Sequence, residues 1–216
     1  MVGVGGLGCP AATSLARAGV RRITLADPDR VELHNLHRQP LHRTGDVGRL
    51  KVESGRERLL ERYPGLAVEA RPVPVSPANA TAWFREHQLV IDATDDPATK
   101  LLLSDVAVAT GVPLVYAGAV RAHGQVMAVL PGGPCLRCLF EDPPAEGATC
   151  AQAGVWGAAV GVVGARQGLE GASVLRGSAI PGSLWRFDAD RLLSREIAVH
   201  RAPDCPACSE QGRACG

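Results

Sequence analysis

Two groups of residues in this chain have types and spacings that can do chemistry. The first is Gly3-Val4-Gly5-Gly6-Leu7-Gly8, a G-x-G-x-x-G with one extra glycine, followed at about the twenty-residue spacing by Asp27. A strand, a glycine turn and a helix start make an anion site. The free N–H groups and partial positive charge of the helix end face the anion, and glycine lets the backbone approach it. An acid at the end of the next strand can accept from a ribose hydroxyl. The second group is a pair of knuckles, Cys135-Leu-Arg-Cys138 and Cys205-Pro-Ala-Cys208. Four thiolates in two C-x-x-C pairs suit a closed tetrahedral zinc site.

The glycine loop alone does not say which nucleotide it holds. On its own it reads as a dinucleotide fingerprint, and an NAD-dependent oxidoreductase is the first alternative. The next segment adds more than a dinucleotide needs. Asp27-Pro-Asp29-Arg30-Val-Glu-Leu-His34-Asn35-Leu36-His37-Arg38-Gln39 is densely polar, Lys51 stands at a helix start, and Asp95-Asp96 end a strand. A triphosphate with Mg²⁺ needs such a set. Arg38 and Lys51 can supply cations, and Asp95 can hold the metal together with phosphates and waters. Asn35 and Gln39 can donate to phosphate or ribose oxygens.

Of seven cysteines, the two knuckles favour zinc over a redox pair, because there are two of them. Their wide separation makes the metal a staple between a hairpin region and the C-terminal segment, not a Lewis acid. Structural or redox disulfides are the alternative, disfavoured in a cytosolic setting. Cys150 stands apart, before Ala151-Gln152-Ala153-Gly154 and a small-residue helix. A thiol near a helix N-terminus can have a lowered pKa and act as a nucleophile. Cys9 reads as a small packing residue of the first helix.

The elements that must position these groups alternate. Met1–Val4 reads as the end of a buried strand, and a helix follows from about Cys9 to Ala18. RITLA (22–26) is a second strand. Leu50–Tyr63 is a helix with Leu50, Leu59, Leu60 and Tyr63 near one face. Leu66–Val75 is a strand interrupted by prolines. Ser76-Pro77 opens a helix running to about Glu86. LVIDAT (89–94) is a buried strand, Thr99–Thr110 a helix closed by Gly111, and Pro113–Ala117 a further strand. The pattern then changes: Ala119–Leu130 reads as antiparallel strands, 140–149 as a polar loop, Val155–Leu175 as a helix and Ser183–Val199 as a closing hairpin. The expected fold is α/β, with a Rossmann-like parallel sheet continuing into a mixed, antiparallel half and a zinc-stapled C-terminal region. The whole of 1–216 is expected to be one domain.

Composition agrees. Apolar residues are 46% of the chain, enough for a core, while aromatics are only 4%, so the core must be aliphatic and glycine-packed. A net charge of +1 argues against a protein built to neutralise a nucleic-acid backbone. No apolar run reaches the roughly 20 residues of a membrane span. The expected setting is cytoplasmic, with neither nucleic acid nor membrane as partner.

GVGGLG, LADPDRVELHNLHRQ, Lys51 in VGRLKVES, and Asp95 in DATDD resemble the ThiF/MoeB/HesA family of ubiquitin-activating-enzyme-like adenylyltransferases. NLHRQ carries the resemblance most strongly, and the likeness runs in order from Val2 to about Cys208. The resemblance implies Asp27 at the nucleotide ribose, and Asp29, Gly3, Gly5, Gly6 and Gly8 around the nucleotide. Asn35, Arg38, Gln39 and Lys51 would surround the phosphates, with Asp95 on Mg²⁺. It implies ATP as substrate, Zn²⁺ on Cys135, Cys138, Cys205 and Cys208, and a homodimer. The reaction implied is adenylylation of the C-terminal glycine of a ubiquitin-like sulfur carrier ending in Gly-Gly, in molybdopterin- or thiazole-type sulfur transfer, with pyrophosphate released. Arg38, Lys51 and Asp95 would be the catalytic groups, and Cys150 is either a covalent attachment point or passive.

The family pattern begins upstream of Met1, so a clipped first strand and a missing N-terminal helical segment are expected, with a misplaced start as the favoured reason. Asp96 stands where the family commonly has asparagine, and Lys100 where arginine is usual. No rhodanese domain follows Cys208, so a separate sulfur donor is implied. A non-catalytic, carrier-binding pseudoenzyme is the second alternative.

Overall fold

A computed structural model describes residues 1–140 and 154–209. The expectations for Cys150 and for the polar loop from residue 141 onward lie outside the described residues.

The chain builds a doubly wound sheet. In order it forms α1 (Gly8–Arg17), β1 (Arg22–Ala26), α2 (Lys51–Arg62), β2 (Ala67–Arg71), α3 (Pro77–Arg85), β3 (Val90–Asp92) and α4 (Pro97–Thr110). It continues with β4 (Leu114–Val120), β5 (His123–Val129), α5 (Gly157–Leu175), β6 (Ser183–Asp188) and β7 (Leu193–Ala198). β1 and β2 pair in parallel, as do β3 and β4, while β4 to β7 pair antiparallel in sequence order. Val2 joins the two groups, bridging in parallel to Ala26 on one side and Asp92 on the other.

The hydrophobic period of two explains the layering. Ile91, Val115, Ala117, Val126 and Ala128 face a core shared with α1, α2 and α5. Their neighbours Val90, Leu114, Tyr116, Met127 and Val129 face a second core shared with α3, α4 and the cysteine knuckles. Helix ends follow local chemistry. Asp96 caps α4 by accepting from the Thr99 N–H at 2.8 Å, and Gly111 ends that helix with φ 70°. Ser76 and Asn79 form a capping box at α3. Among the described residues, no helix is long and apolar enough to cross a membrane.

Several elements differ from their sequence expectation; β3, expected over 89–94, spans only Val90–Asp92. β2 stops at Arg71 instead of reaching Val75, because Pro72 and Pro74 have no N–H for the ladder. β4 runs on to Val120, since β5 pairs with it residue by residue from Leu114↔Val129 to Val120↔His123. The fully buried face of α2 is Val52, Gly55 and Leu59, flanked by buried Lys51, Ser54 and Arg58; Leu50, Leu60 and Tyr63 sit at its half-buried margin.

α1 and α5 meet along a glycine seam. A Cβ at Gly164 would lie 2.4 Å from the Leu7 carbonyl oxygen, and one at Gly168 would lie 2.5 Å from that of Ala11. Backbone cannot yield as a side chain does, so these positions set the helix separation. Gly161, on the same helix, meets nothing within 4 Å. Gly164→Ala is therefore expected to destabilise the fold by about 1–3 kcal/mol. Gly161→Ala should instead stabilise it by about 0.5–1 kcal/mol. Paired denaturant titrations check both signs.

Candidate functional site

The carboxyl ends of the parallel strands open into a cleft of about 470 Å³. This is the topological switch point, where open α/β sheets bind ligands. Gly3, Gly5 and Gly6 line it from the loop after the Val2 strand, and Asp27 and Asp29 from the end of β1. Asn35, Arg38 and Gln39 line it from the turns that follow, Lys51 from the start of α2, and Asp95 from the end of β3.

Gly8 does not line the cleft. Its Cβ would fall 2.2 Å from the Gly3 carbonyl oxygen, so it is glycine to let α1 start against the turn. Gly3 has φ 93°, and a Cβ there would lie 2.6 Å from the Ala93 oxygen. The outer glycines thus fold the turn, and Gly5 and Gly6 present their backbone to the cleft.

Asp27 does more than face a ligand. Its Oδ2 accepts the Val4 N–H at 2.7 Å, and its Oδ1 accepts the Asp29 N–H at 2.9 Å. The buried carboxylate ties the glycine loop to the segment after β1, and each oxygen keeps a lone pair for a further donor. Asp29 is exposed and bonds the Lys51 ammonium at 2.7 Å, while Lys51 itself is buried. The aliphatic stem of Arg38 lies against Gly6, and no carboxylate among the described residues pairs with its guanidinium.

The Asn35 amide nitrogen donates to Glu32 at 3.2 Å and keeps a second hydrogen, while its buried Oδ1 has no partner among the described residues. Gln39 likewise buries an unpartnered Oε1. Asp95 is exposed, and no hydrogen bond or ion pair holds it among the described residues, unlike its neighbour Asp96, which caps α4.

Sequence reading did not single out Asp92. It is fully buried, and Lys100 reaches its Oδ2 at 3.2 Å, the Ala117 carbonyl at 2.7 Å and the face of the Tyr116 ring. Gln167 of α5 pins the same corner, donating to the Asp92 and Val115 carbonyls. An apolar-looking strand sequence, VID, gave no signal for this cluster. His42 was missed as well.

On the other face of the sheet, Cys135, Cys138, Cys205 and Cys208 bring their sulfurs within 4.8 Å of one another. Their separations include 3.5 Å for Cys135–Cys205 and 3.3 Å for Cys138–Cys208. Tetrahedral thiolates at about 2.3 Å from a metal fit this cluster. α4 holds it: Leu136 N–H donates to Ser104 Oγ at 3.0 Å, and Arg137 makes a bidentate pair with Asp105.

With this geometry in view, the comparisons with known proteins are decisive for kinship. Residues 1–207 match the ThiF family. The chain belongs to the ThiF family. It is 44% identical over 229 residues to an adenylyltransferase and sulfurtransferase uba4 of Emericella nidulans, covering 98% of this chain and 48% of that protein. It is 42% identical over 221 residues to a sulfur carrier protein adenylyltransferase of Thermus thermophilus, covering 98% of this chain and 82% of that one. The chain thus spans about half the length of the fungal relative. Escherichia coli MccB shares the fold with a TM-score of 0.82 at 21% identity, over 97% of this chain and 65% of that one.

The Asp27 clamp is testable without a ligand. Asparagine offers one oxygen where two N–H groups need acceptors. Asp27→Asn is expected to lower stability by about 1–3 kcal/mol. An unchanged denaturation midpoint would show the clamp to be idle.

Proposed function

We propose that this chain adenylylates the C-terminal glycine of a ubiquitin-like sulfur carrier protein, using ATP and releasing pyrophosphate. The observation that carries the reading is the cation-and-acid set around the glycine loop: buried Lys51, with Arg38 lacking a carboxylate and Asp95 lacking a partner among the described residues. A dinucleotide oxidoreductase needs no such set, and membership of the ThiF family supports the adenylyl-transfer reading.

In this reading the carrier's terminal carboxylate attacks the α-phosphorus of ATP. A carboxyl oxygen–phosphorus bond forms, and the bond between the α-phosphorus and the bridging oxygen breaks. The electron pair leaves with pyrophosphate. No protein base is needed, because the attacking carboxylate is already ionised. Gly5 and Gly6 let the backbone approach the phosphates, and Arg38 and Lys51 neutralise charge that grows on the leaving group. Asp27 and Asp29 receive ribose hydroxyls, and the bare oxygens of Asn35 and Gln39 suit donors such as hydroxyls or ordered water. Asp95, an unengaged carboxylate in the cleft, fits Mg²⁺, which would supply charge neutralisation on the phosphates. The four sulfurs fit Zn²⁺, which would supply a covalent-strength staple between the turn after β5 and the segment after β7. A Gly-Gly carrier terminus, a sulfur donor on another protein and a homodimer belong to the same proposal.

ATP–pyrophosphate exchange tests the reading with a panel of Gly-Gly-terminated carriers. Carrier-dependent exchange is expected, falling roughly 100-fold in Lys51→Ala and Asp95→Ala. Folded protein that binds ATP but exchanges with no carrier would favour the pseudoenzyme instead.

The metal has its own readout. Elemental analysis should find about one zinc per chain. Cys205→Ser should lose the metal and lower the thermal midpoint, and a chelator should do the same to the unaltered protein. Metal-free protein of unchanged stability would remove the staple from the reading.

A further inference from the structure

His42 is a buried imidazole outside the set of residues assigned to the nucleotide, yet it reaches the glycine loop. Its Nε2 lies 3.0 Å from the Val4 carbonyl oxygen, and its Nδ1 lies 2.9 Å from Ser54 Oγ of α2. Cys9 Sγ, in the first turn of α1, is 3.4 Å from the same Val4 oxygen and 3.8 Å from Nε2. Val4 therefore has both its polar groups held from far along the chain. Asp27 takes its N–H, and His42 and Cys9 meet its carbonyl.

The chemistry of these atoms fixes the proton on Nε2. A carbonyl oxygen can only accept, so Nε2 at 3.0 Å carries the hydrogen. In the neutral ring Nδ1 is then the acceptor, and it faces the Ser54 hydroxyl, whose one hydrogen the Asp46 carboxylate also draws. Burial holds the imidazole below its usual pKa, partly opposed by the Val4 carbonyl and by Asp46 and Asp27, while Lys51 lowers it further. The Cys9 thiol is pushed up to about 12, chiefly by burial, and stays protonated. Both hydrogens point at one oxygen.

A peptide is planar and trans, so its C=O and the next N–H point in opposite directions. Holding the Val4 carbonyl against His42 turns the Gly5 N–H to the far side, and Gly5 lines the cleft. Glycine gives this turn no side-chain restraint of its own, and its backbone entropy is the largest of any residue. The restraint has to come from outside the loop.

We propose that His42 is a positioning residue for nucleotide binding: through Nε2–H it locks the Val4–Gly5 peptide plane, with Ser54 Oγ holding the ring from its Nδ1 side. The consequence for affinity rests on the nucleotide reading of the cleft. The lock itself does not.

Three measurements on the full chain separate the two. An imidazole ¹⁵N–¹H spectrum of the unliganded protein should report the Nε2–H tautomer at His42; the Nδ1–H tautomer would overturn the proposal. Amide hydrogen exchange should be faster over residues 4–6 in His42→Leu, which fills the space without a donor. His42→Gln, whose side-chain amide can donate where Nε2 does, should restore protection. Calorimetry with ATP should show affinity about tenfold weaker in His42→Leu and largely recovered in His42→Gln. Equal losses in both variants at equal thermal stability would assign His42 to packing and end the proposal. If His42→Leu does not fold, Ser54→Ala carries the test, with faster exchange and severalfold weaker ATP binding expected and no change in either overturning it. Should the unaltered protein bind no ATP while exchange still separates leucine from glutamine, the nucleotide reading falls and the lock stands. Should exchange fail to separate them, the lock falls whatever binds.

Discussion

Everything in this cleft depends on the ladder made by Val2 and Gly3. The Val2 N–H donates to Ile91 at 2.9 Å, and the Val2 carbonyl accepts from Ala93 at 2.8 Å. Gly3 N–H donates to Ala26 at 2.8 Å. These bonds hold one short segment between β1 and β3 and thereby bring three strand ends to one edge. The acids at 27, 95 and 96 and the glycine turn come from distant parts of the chain. They share a site because hydrogen-bonded parallel strands end at the same level.

The turn that follows has little stiffness of its own, and the surrounding polar groups supply it. Asp27 and His42 grip opposite poles of one residue, Val4. The cost of burying a carboxylate and an imidazole is offset by the hydrogen bonds they make to the loop, the buried Val4 N–H to Asp27 above all. Lys51 is handled differently. It is buried but paired with an exposed acid, so only one half of the ion pair is desolvated. Arg38, its stem against Gly6 and no carboxylate paired with it among the described residues, lines the same cleft as Asp95.

How much of this the sequence disclosed follows from how local each signal is. The glycine turn, the acid after RITLA, the paired knuckles and the cap at Ser76 are short-range patterns, and each sits where its spacing said. Gly8 was legible as part of a motif but not in its role, which depends on the backbone of Gly3 lying against it. The partner of Asp27 is Val4, and the partner of His42 is Val4 again; no periodicity reports contacts across such distances in the chain. Asp92 was hidden for a different reason. A fully buried charge inside an apolar strand reads as a strand residue until Lys100 is seen to reach it from α4.

α4 links the four-cysteine cluster on one face of the sheet to the cleft at its edge. Its N-cap is Asp96, beside Asp95. One turn on, Lys100 ties Asp92 to the Ala117 carbonyl. A further turn on, Ser104 receives the Leu136 N–H from the first cysteine knuckle, and adjacent Asp105 clamps Arg137 in the same knuckle. Positions 96, 100 and 104 lie four apart and so share one stripe of the helix. The stripe runs from the cleft to the sulfurs. The first cysteine knuckle is thus bonded to the far end of the helix whose near end carries the cap at 96 and the lysine at 100. The cysteine knuckle need not touch the cleft to be linked to it: it is bonded to the far turns of α4, and close-packed interiors transmit strain.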